Sequence, residues 1–145
     1  MKITTICRYG IRAMIELARN YGDNPVALKA IANKEEISRK YLDHIMSRLK
    51  TAGLVRVTRG VNGGFVLAHP PSEITLSNIF RVLEGDPSIV ECVNNPDVCK
   101  RSRNCTAREI WIDMTVMIEE FLESRTLQDI INYKRIKHKK PARIK

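Results

Sequence analysis

No stretch of this 145-residue chain approaches the roughly 18 consecutive apolar residues of a membrane span. Residues 1–18 carry Lys2, Arg8, Arg12 and Glu16, which break up any signal-peptide core. The expectation is a cytoplasmic protein with no membrane partner. There is no Cys-x-x-Cys pair, no phosphate-binding glycine loop and no nucleophile elbow. Histidine is scarce, limited to His44, His69 and His138. These absences remove the usual equipment of disulfide exchangers, nucleotide hydrolases and serine hydrolases, and the chain is not expected to be an enzyme. Reduced cytoplasmic thiols also argue against a structural disulfide among its four cysteines.

Charge is present but unevenly placed. The net +9 divides into 12 basic against 6 acidic residues over 1–73, 6 against 10 over 74–133, and 7 against none over 134–145. A basic front half calls for a polyanion, because Lys and Arg displace the counterions condensed on nucleic acid. The basic tail is read as a solubilising end.

The front half also has the pattern of a DNA reader. Ile6, Tyr9, Ala13 and Leu17, with Ile11, Met14, Ile15 and Ala18, give an apolar stripe at helical spacing over 5–20, ended by Gly22 and Asp23-Asn24-Pro25. A short helix over 28–34 follows, then a turn, then a helix opened by the N-cap Ser38 and closed before Gly53. Leu42, Ile45, Leu49 and Ala52 make its inward face, leaving Arg39, Lys40, Asp43, His44 and Ser47 outward. That is a helix-turn-helix, whose second helix enters the major groove. Segments 54–58 and 65–68 flank Arg59-Gly60-Val61-Asn62-Gly63-Gly64, where Asn-Gly signals a hairpin because both residues tolerate positive φ. A hairpin directly after the helix-turn-helix is a wing, and Arg59 on it suits the minor groove.

Beyond Pro70-Pro71, residues 76–84 read as a helix capped by Thr75 and ended by Gly85. Three cysteines, Cys92, Cys99 and Cys105, then occupy one turn-rich stretch with no helical or strand period, which is expected to be a flexible loop. Lys100, Arg101 and Arg103 between them favour the thiolate that binds metal. Gaps of six and five residues are wide for one zinc ion and suit the larger body of an iron-sulfur cluster, so a metal centre is expected. Thr106-Ala107-Arg108-Glu109 reads as a capping box opening the longest helix, with Cys105 at its N-terminus. Along that helix Ile110, Trp111, Met114, Met117, Ile118, Phe121 and Leu122 form a stripe that asks for a partner helix, hence a homodimer. A short last helix runs from 126 to about 133.

This order resembles the winged-helix bacterial regulators typified by IscR, with NsrR and RirA as relatives (Rrf-type). The matching stretches are Arg8-Tyr9, residues 41–50 with Gly53-Leu54-Val55, residues 59–65, and Cys92, Cys99 and Cys105 followed by Trp111. The resemblance implies a homodimer on a double-stranded, pseudo-palindromic DNA operator. Its base-reading residues would be Ser38, Arg39, Lys40, Asp43 and His44, with Arg59 and Gly60 at the minor groove. It further implies an iron-sulfur cluster, [2Fe-2S] or [4Fe-4S], on Cys92, Cys99 and Cys105, making the chain a redox-sensing transcription regulator, repressor or activator, that reports cluster status, iron, or oxidative or nitrosative stress. The fourth ligand does not transfer. The histidine that some relatives carry three residues after the third cysteine is Arg108 here, and the aspartate of others falls at Arg8. Neither guanidinium can ligate. Cys7 is the remaining candidate, offset from Arg8 by about 100° of helix rotation. The alternative is a family member that regulates without a cluster, through zinc, thiol redox or docking of a metabolic enzyme.

The expected fold is mainly α with a small β-hairpin wing. It comprises a winged helix-turn-helix over 1–73, a linker helix over 74–90, the cysteine loop over 91–105, a dimerisation helix with a short terminal helix over 106–133, and the basic tail over 134–145.

Overall fold

The structure, a computed structural model, describes residues 3–133; the basic tail lies outside them. Six helices and one hairpin follow in the order α1 (Thr5–Arg19), α2 (Leu28–Glu35), α3 (Arg39–Thr51), β1 (Val55–Thr58), β2 (Gly64–Leu67), α4 (Leu76–Leu83), α5 (Thr106–Glu123) and α6 (Leu127–Ile131). The mainly helical winged architecture is present. Among the described residues no helix is long and apolar enough to cross a membrane.

Local chemistry sets the helix ends. Thr4 caps α1 by accepting from the Cys7 N–H, and Ser38 caps α3 by accepting from the Tyr41 N–H. Between α2 and α3 the chain reverses at Glu36, the one non-glycine residue at positive φ (54°) among the described residues. The core joins Met14 and Leu17 of α1, Ile31 of α2, Leu42, Ile45, Met46 and Leu49 of α3, Ile79, Phe80 and Leu83 of α4, and Leu127 of α6. The helix expected as a linker is therefore part of the same core. Gly10 makes this possible, since a Cβ there would lie 2.0 Å from Cδ1 of Leu83 and 3.2 Å from Cγ2 of Ile45. Ala52, expected on the inward face, is exposed.

The hairpin pairs Val55 with Leu67 through Thr58 with Gly64, antiparallel. Its turn does not draw on the tolerance of Asn-Gly for positive φ. Neither Asn62 nor Gly63 has positive φ; Gly60 does (115°), and the Gly63 N–H donates to the Gly60 carbonyl at 3.0 Å. Gly63 and Gly64 are needed for space: a Cβ on Gly63 would sit 2.3 Å from the Thr58 carbonyl oxygen, and one on Gly64 2.5 Å from the Val26 carbonyl. Val26 also bridges Phe65, with N–H to carbonyl distances of 3.0 and 2.8 Å, so the wing is hydrogen-bonded to the segment before α2.

Thr75 and Thr126 each close a full capping box, with Asn78 and Asp129 respectively. The two residues also form a bridge, in which the Leu76 N–H donates to Arg125 and the Leu127 N–H to Ile74, both at 2.8 Å. The starts of α4 and α6 are thus tied across about fifty residues of chain. By contrast, the box expected at Thr106 and Glu109 is absent. Helix α5 begins at Thr106, its N-cap is Cys105 in extended conformation, and no side chain caps it.

Candidate nucleic-acid interface and cysteine loop

On α3 the apolar repeat turns Leu42, Ile45, Met46 and Leu49 fully inward. Arg39, Lys40, Asp43 and His44 are left exposed, and within the described residues none of their side chains is hydrogen-bonded or ion-paired. Ser38 stands at the helix start with its oxygen engaged by the Tyr41 N–H at 3.3 Å. Unpaired polar groups on one exposed face are what base edges and phosphates require. Behind them the helix is fixed on two sides: Tyr41 meets Tyr9 edge-on with ring centroids 6.0 Å apart, and Arg48 donates from Nη2 to the Val82 carbonyl of α4 at 2.6 Å. Arg59 and Gly60 are exposed on the wing. Of the seven residues expected to face DNA, Arg39, Lys40, Asp43 and His44 lie on α3, Ser38 is its N-cap, and Arg59 and Gly60 lie in the turn of the wing. The Arg48 tie was not foreseen; its signal, an arginine in the last turn of a helix facing a helix C-terminus, is too common to read alone.

The stretch expected to be an aperiodic loop is a chain of three single 3₁₀ turns, Glu91–Val93, Pro96–Val98 and Ser102–Asn104. Cys92 and Cys105 are half-buried, Cys99 is exposed, and all are free thiols. Among the described residues no group of three His, Cys, Asp or Glu side chains is placed to hold a metal ion, so the thiols are on one loop without converging. Arg108, where a fourth ligand was sought, donates from Nε to the Cys92 carbonyl at 2.7 Å and from Nη2 to the Val93 carbonyl at 3.1 Å. Its guanidinium ties the first turn of the loop to α5. The Ser102 hydroxyl is buried without a partner.

Cys7, the remaining candidate ligand, is a core residue at 0% exposure, and burial, with the Glu84 carboxylate adding, pushes its thiol up to about 11. A thiol so held stays protonated and is a poor ligand. In this arrangement no three of these thiols are gathered on one metal ion, Arg108 cannot be a ligand, and Cys7 is held in the core.

The stripe of α5 divides. Trp111, Ile118 and Leu122 are half-covered by the chain itself, whereas Ile110, Met114, Met117 and Phe121 are 54, 42, 68 and 54% exposed. An exposed apolar row of this kind marks an interaction surface.

The chain as a whole is similar to known transcriptional regulators. The family profile Rrf2, described as iron-dependent transcriptional regulator, matches residues 3–133. The HTH-type transcriptional regulator CymR of Bacillus subtilis (strain 168) is 43% identical over 133 residues, covering 92% of this chain and 91% of that one. The solved structure of CymR, titled the global cysteine regulator of B. subtilis, superposes with a TM-score of 0.80 at 41% identity, covering 93% and 99% of the two chains. T. potens IscR superposes with a TM-score of 0.75 at 35% identity, covering 91% and 87%.

Proposed function

This chain belongs to the Rrf2 family of transcriptional regulators, dimeric DNA-binding proteins and not enzymes, and on that footing we propose that it controls genes of cysteine supply through its cysteine loop without a resident cluster. Acting on DNA, it works in the cytoplasm, where its thiols are kept reduced. Residues Ser38, Arg39, Lys40, Asp43 and His44 read the major groove, and Arg59 with Gly60 lies at the minor groove.

The observation that carries the reading is Arg108. It ties Cys92 and Val93 to α5 by two hydrogen bonds from a charged donor, the work a metal ligand at that position would otherwise do. The loop is thereby ordered with its thiols apart, and Cys99 stays exposed to thiol chemistry or to a docking partner. The similarity to a protein titled a global cysteine regulator supports cysteine supply as the regulated process.

A second reading, cluster control, is favoured by the three cysteines on one loop, the unpartnered Ser102 hydroxyl among them, and the 35% identity to T. potens IscR. There Cys92, Cys99 and Cys105 would be the ligands, and the cluster would supply sensitivity to oxidants or nitric oxide. Purification without oxygen, followed by visible absorption and analysis for iron, sulfide and zinc, separates the two. The expected result is colourless protein without iron or labile sulfide that binds its operator after chelator treatment. Brown protein whose operator affinity changes when the iron is removed overturns the proposal in favour of the cluster.

A further inference from the structure

We propose that Val61, at the apex of the wing, selects A·T pairs in the operator by filling the floor of the minor groove and excluding the guanine amino group. The inference rests on the reading of the wing as a minor-groove contact, and it assigns the selectivity to an apolar side chain in addition to the charge of Arg59.

Val61 is 105% exposed, the highest value among the large hydrophobic residues described. A branched apolar side chain held fully in water at a hairpin tip gains nothing in the free protein. Its neighbours Arg59, Gly60 and Asn62 are exposed too, and with the basic front half they make the occupant of this tip a polyanion.

The tip is also held in place. The Gly63 N–H closes the turn on the Gly60 carbonyl at 3.0 Å, Gly63 and Gly64 allow backbone approaches that any Cβ would block, and two hydrogen bonds between Val26 and Phe65 fix the hairpin to the body. Val61 is therefore presented on a braced support.

The minor groove offers it a simple choice. A·T and T·A pairs show only the adenine N3 and thymine O2 acceptors, whereas G·C adds the protruding guanine N2 amino donor. A valine isopropyl group can occupy the space between the sugar walls above an A·T pair. Over G·C it meets the amino group sterically and strips it of water without offering an acceptor. Other proteins place apolar side chains in this groove as wedges between base steps, so an apolar group is tolerated there.

The test uses the full chain and an operator selected by it from a random duplex library. Minor-groove contacts are found by interference from adenine N3 methylation, and each contacted pair is then replaced by G·C or by inosine·C, which lacks only the amino group. Wild type should prefer inosine·C to G·C at the tip position by about fivefold or more, the low end of what one wrong pair costs in a specific site. Val61→Ala should bring that ratio to within about twofold, and Val61→Asn should abolish or reverse it, because the amide oxygen can accept from the guanine amino group. Being exposed, both variants should melt as wild type does. The inference is overturned if no minor-groove methylation interferes, if wild type does not discriminate, or if both variants keep the wild-type ratio, which would leave selectivity to Arg59 and groove width. Failure to select any sequence would instead overturn the DNA-binding reading, and the inference with it.

Discussion

The guanidinium of Arg108 donates to the carbonyls of Cys92 and Val93 at 2.7 and 3.1 Å, so the cysteine loop is tied to α5 by a side chain that cannot bind metal. Removing it leaves two part-buried carbonyls without their charged donor. Arg108→Ala should lower stability by about 1–3 kcal/mol and free the first turn of the loop. Cys92, half-buried in the native chain, should then alkylate faster while Cys99, already exposed, does not change. Arg108→Lys, with a single point donor, should fall between them. Mass-resolved labelling rates check this; an unchanged rate at Cys92 would remove the tie from any account of the loop.

Gly64 is a second place where one atom decides. Its φ is not positive, so strain is not the issue; a Cβ would meet the Val26 carbonyl carbon and oxygen at 2.5 Å and the Ala27 nitrogen at 2.9 Å, all backbone. Gly64→Ala should push the hairpin off Val26, cost about 2 kcal/mol in urea unfolding, and raise amide exchange at Phe65, whose N–H bonds Val26. Gly22→Ala, at φ 89° in open space, should cost about 1–2 kcal/mol of backbone strain and leave Phe65 protected.

For the DNA face the two kinds of contact separate by salt. Lys40→Ala should weaken binding to all sequences alike and flatten the dependence of log affinity on log salt by about one phosphate's worth, roughly 0.9. Asp43→Ala should keep the salt slope and relax base choice at one position, at a cost of about 1–3 kcal/mol or less. Fluorescence anisotropy on selected operators at several salt concentrations measures both. If the two variants behave alike, α3 is not seated as proposed.

What could be read from the chain and what could not divides by range. Helices α1 and α3 were legible because Leu42, Ile45 and Leu49 repeat on one face and Ser38 is a local cap. The wing was legible as a hairpin, but its turn was not, because Asn62-Gly63 carries a strong local preference that the approach of Gly63 to Thr58 and of Gly64 to Val26 overrides. The same holds at Thr106. Thr-x-x-Glu looks like a cap, yet the extended conformation of Cys105 makes the cysteine the boundary and puts Thr106 inside the helix. The stripe on α5 was visible as periodicity, but which half the chain itself covers depends on where the rest of the fold lies. Arg108 was recognised only as an unsuitable ligand, since its true partners are carbonyls fifteen and sixteen residues away.

The exposed half of that stripe gives a prediction about assembly. Met117 and Phe121 are one turn apart, 68 and 54% exposed, and a buried side chain of either kind contributes about 1.5–3 kcal/mol. A carboxylate placed there would be desolvated against its symmetry mate. Met117→Asp should yield a folded monomer by sedimentation, with α-helical content kept and operator affinity greatly reduced. Ile118→Asp, on the half-covered side, should lose folded structure as well. A Met117→Asp protein that stays dimeric at micromolar concentration would place the interface elsewhere.

Cys7 ties stability to alkaline pH. Its thiol is fully buried and is pushed from the ordinary value of 9.0 to about 11, first by burial and then by the Glu84 carboxylate. A group whose folded pKa is raised contributes stability that is complete below the unfolded value and is lost as pH rises through the folded one. The loss therefore begins near pH 9, where the unfolded chain gives up its proton, and is nearly complete above about pH 11. From about pH 8 to about pH 10.5 it should amount to about 2 kcal/mol. Other groups titrate in the same interval, so the measurement is a difference: urea unfolding of wild type and of Cys7→Ala across that range. Cys7→Ala should be less stable at pH 8 for want of packing, and the gap should shrink as pH rises. Parallel curves would mean that the thiol reaches water before the fold does, and that Cys7 is more available to reagents and metals than its burial implies.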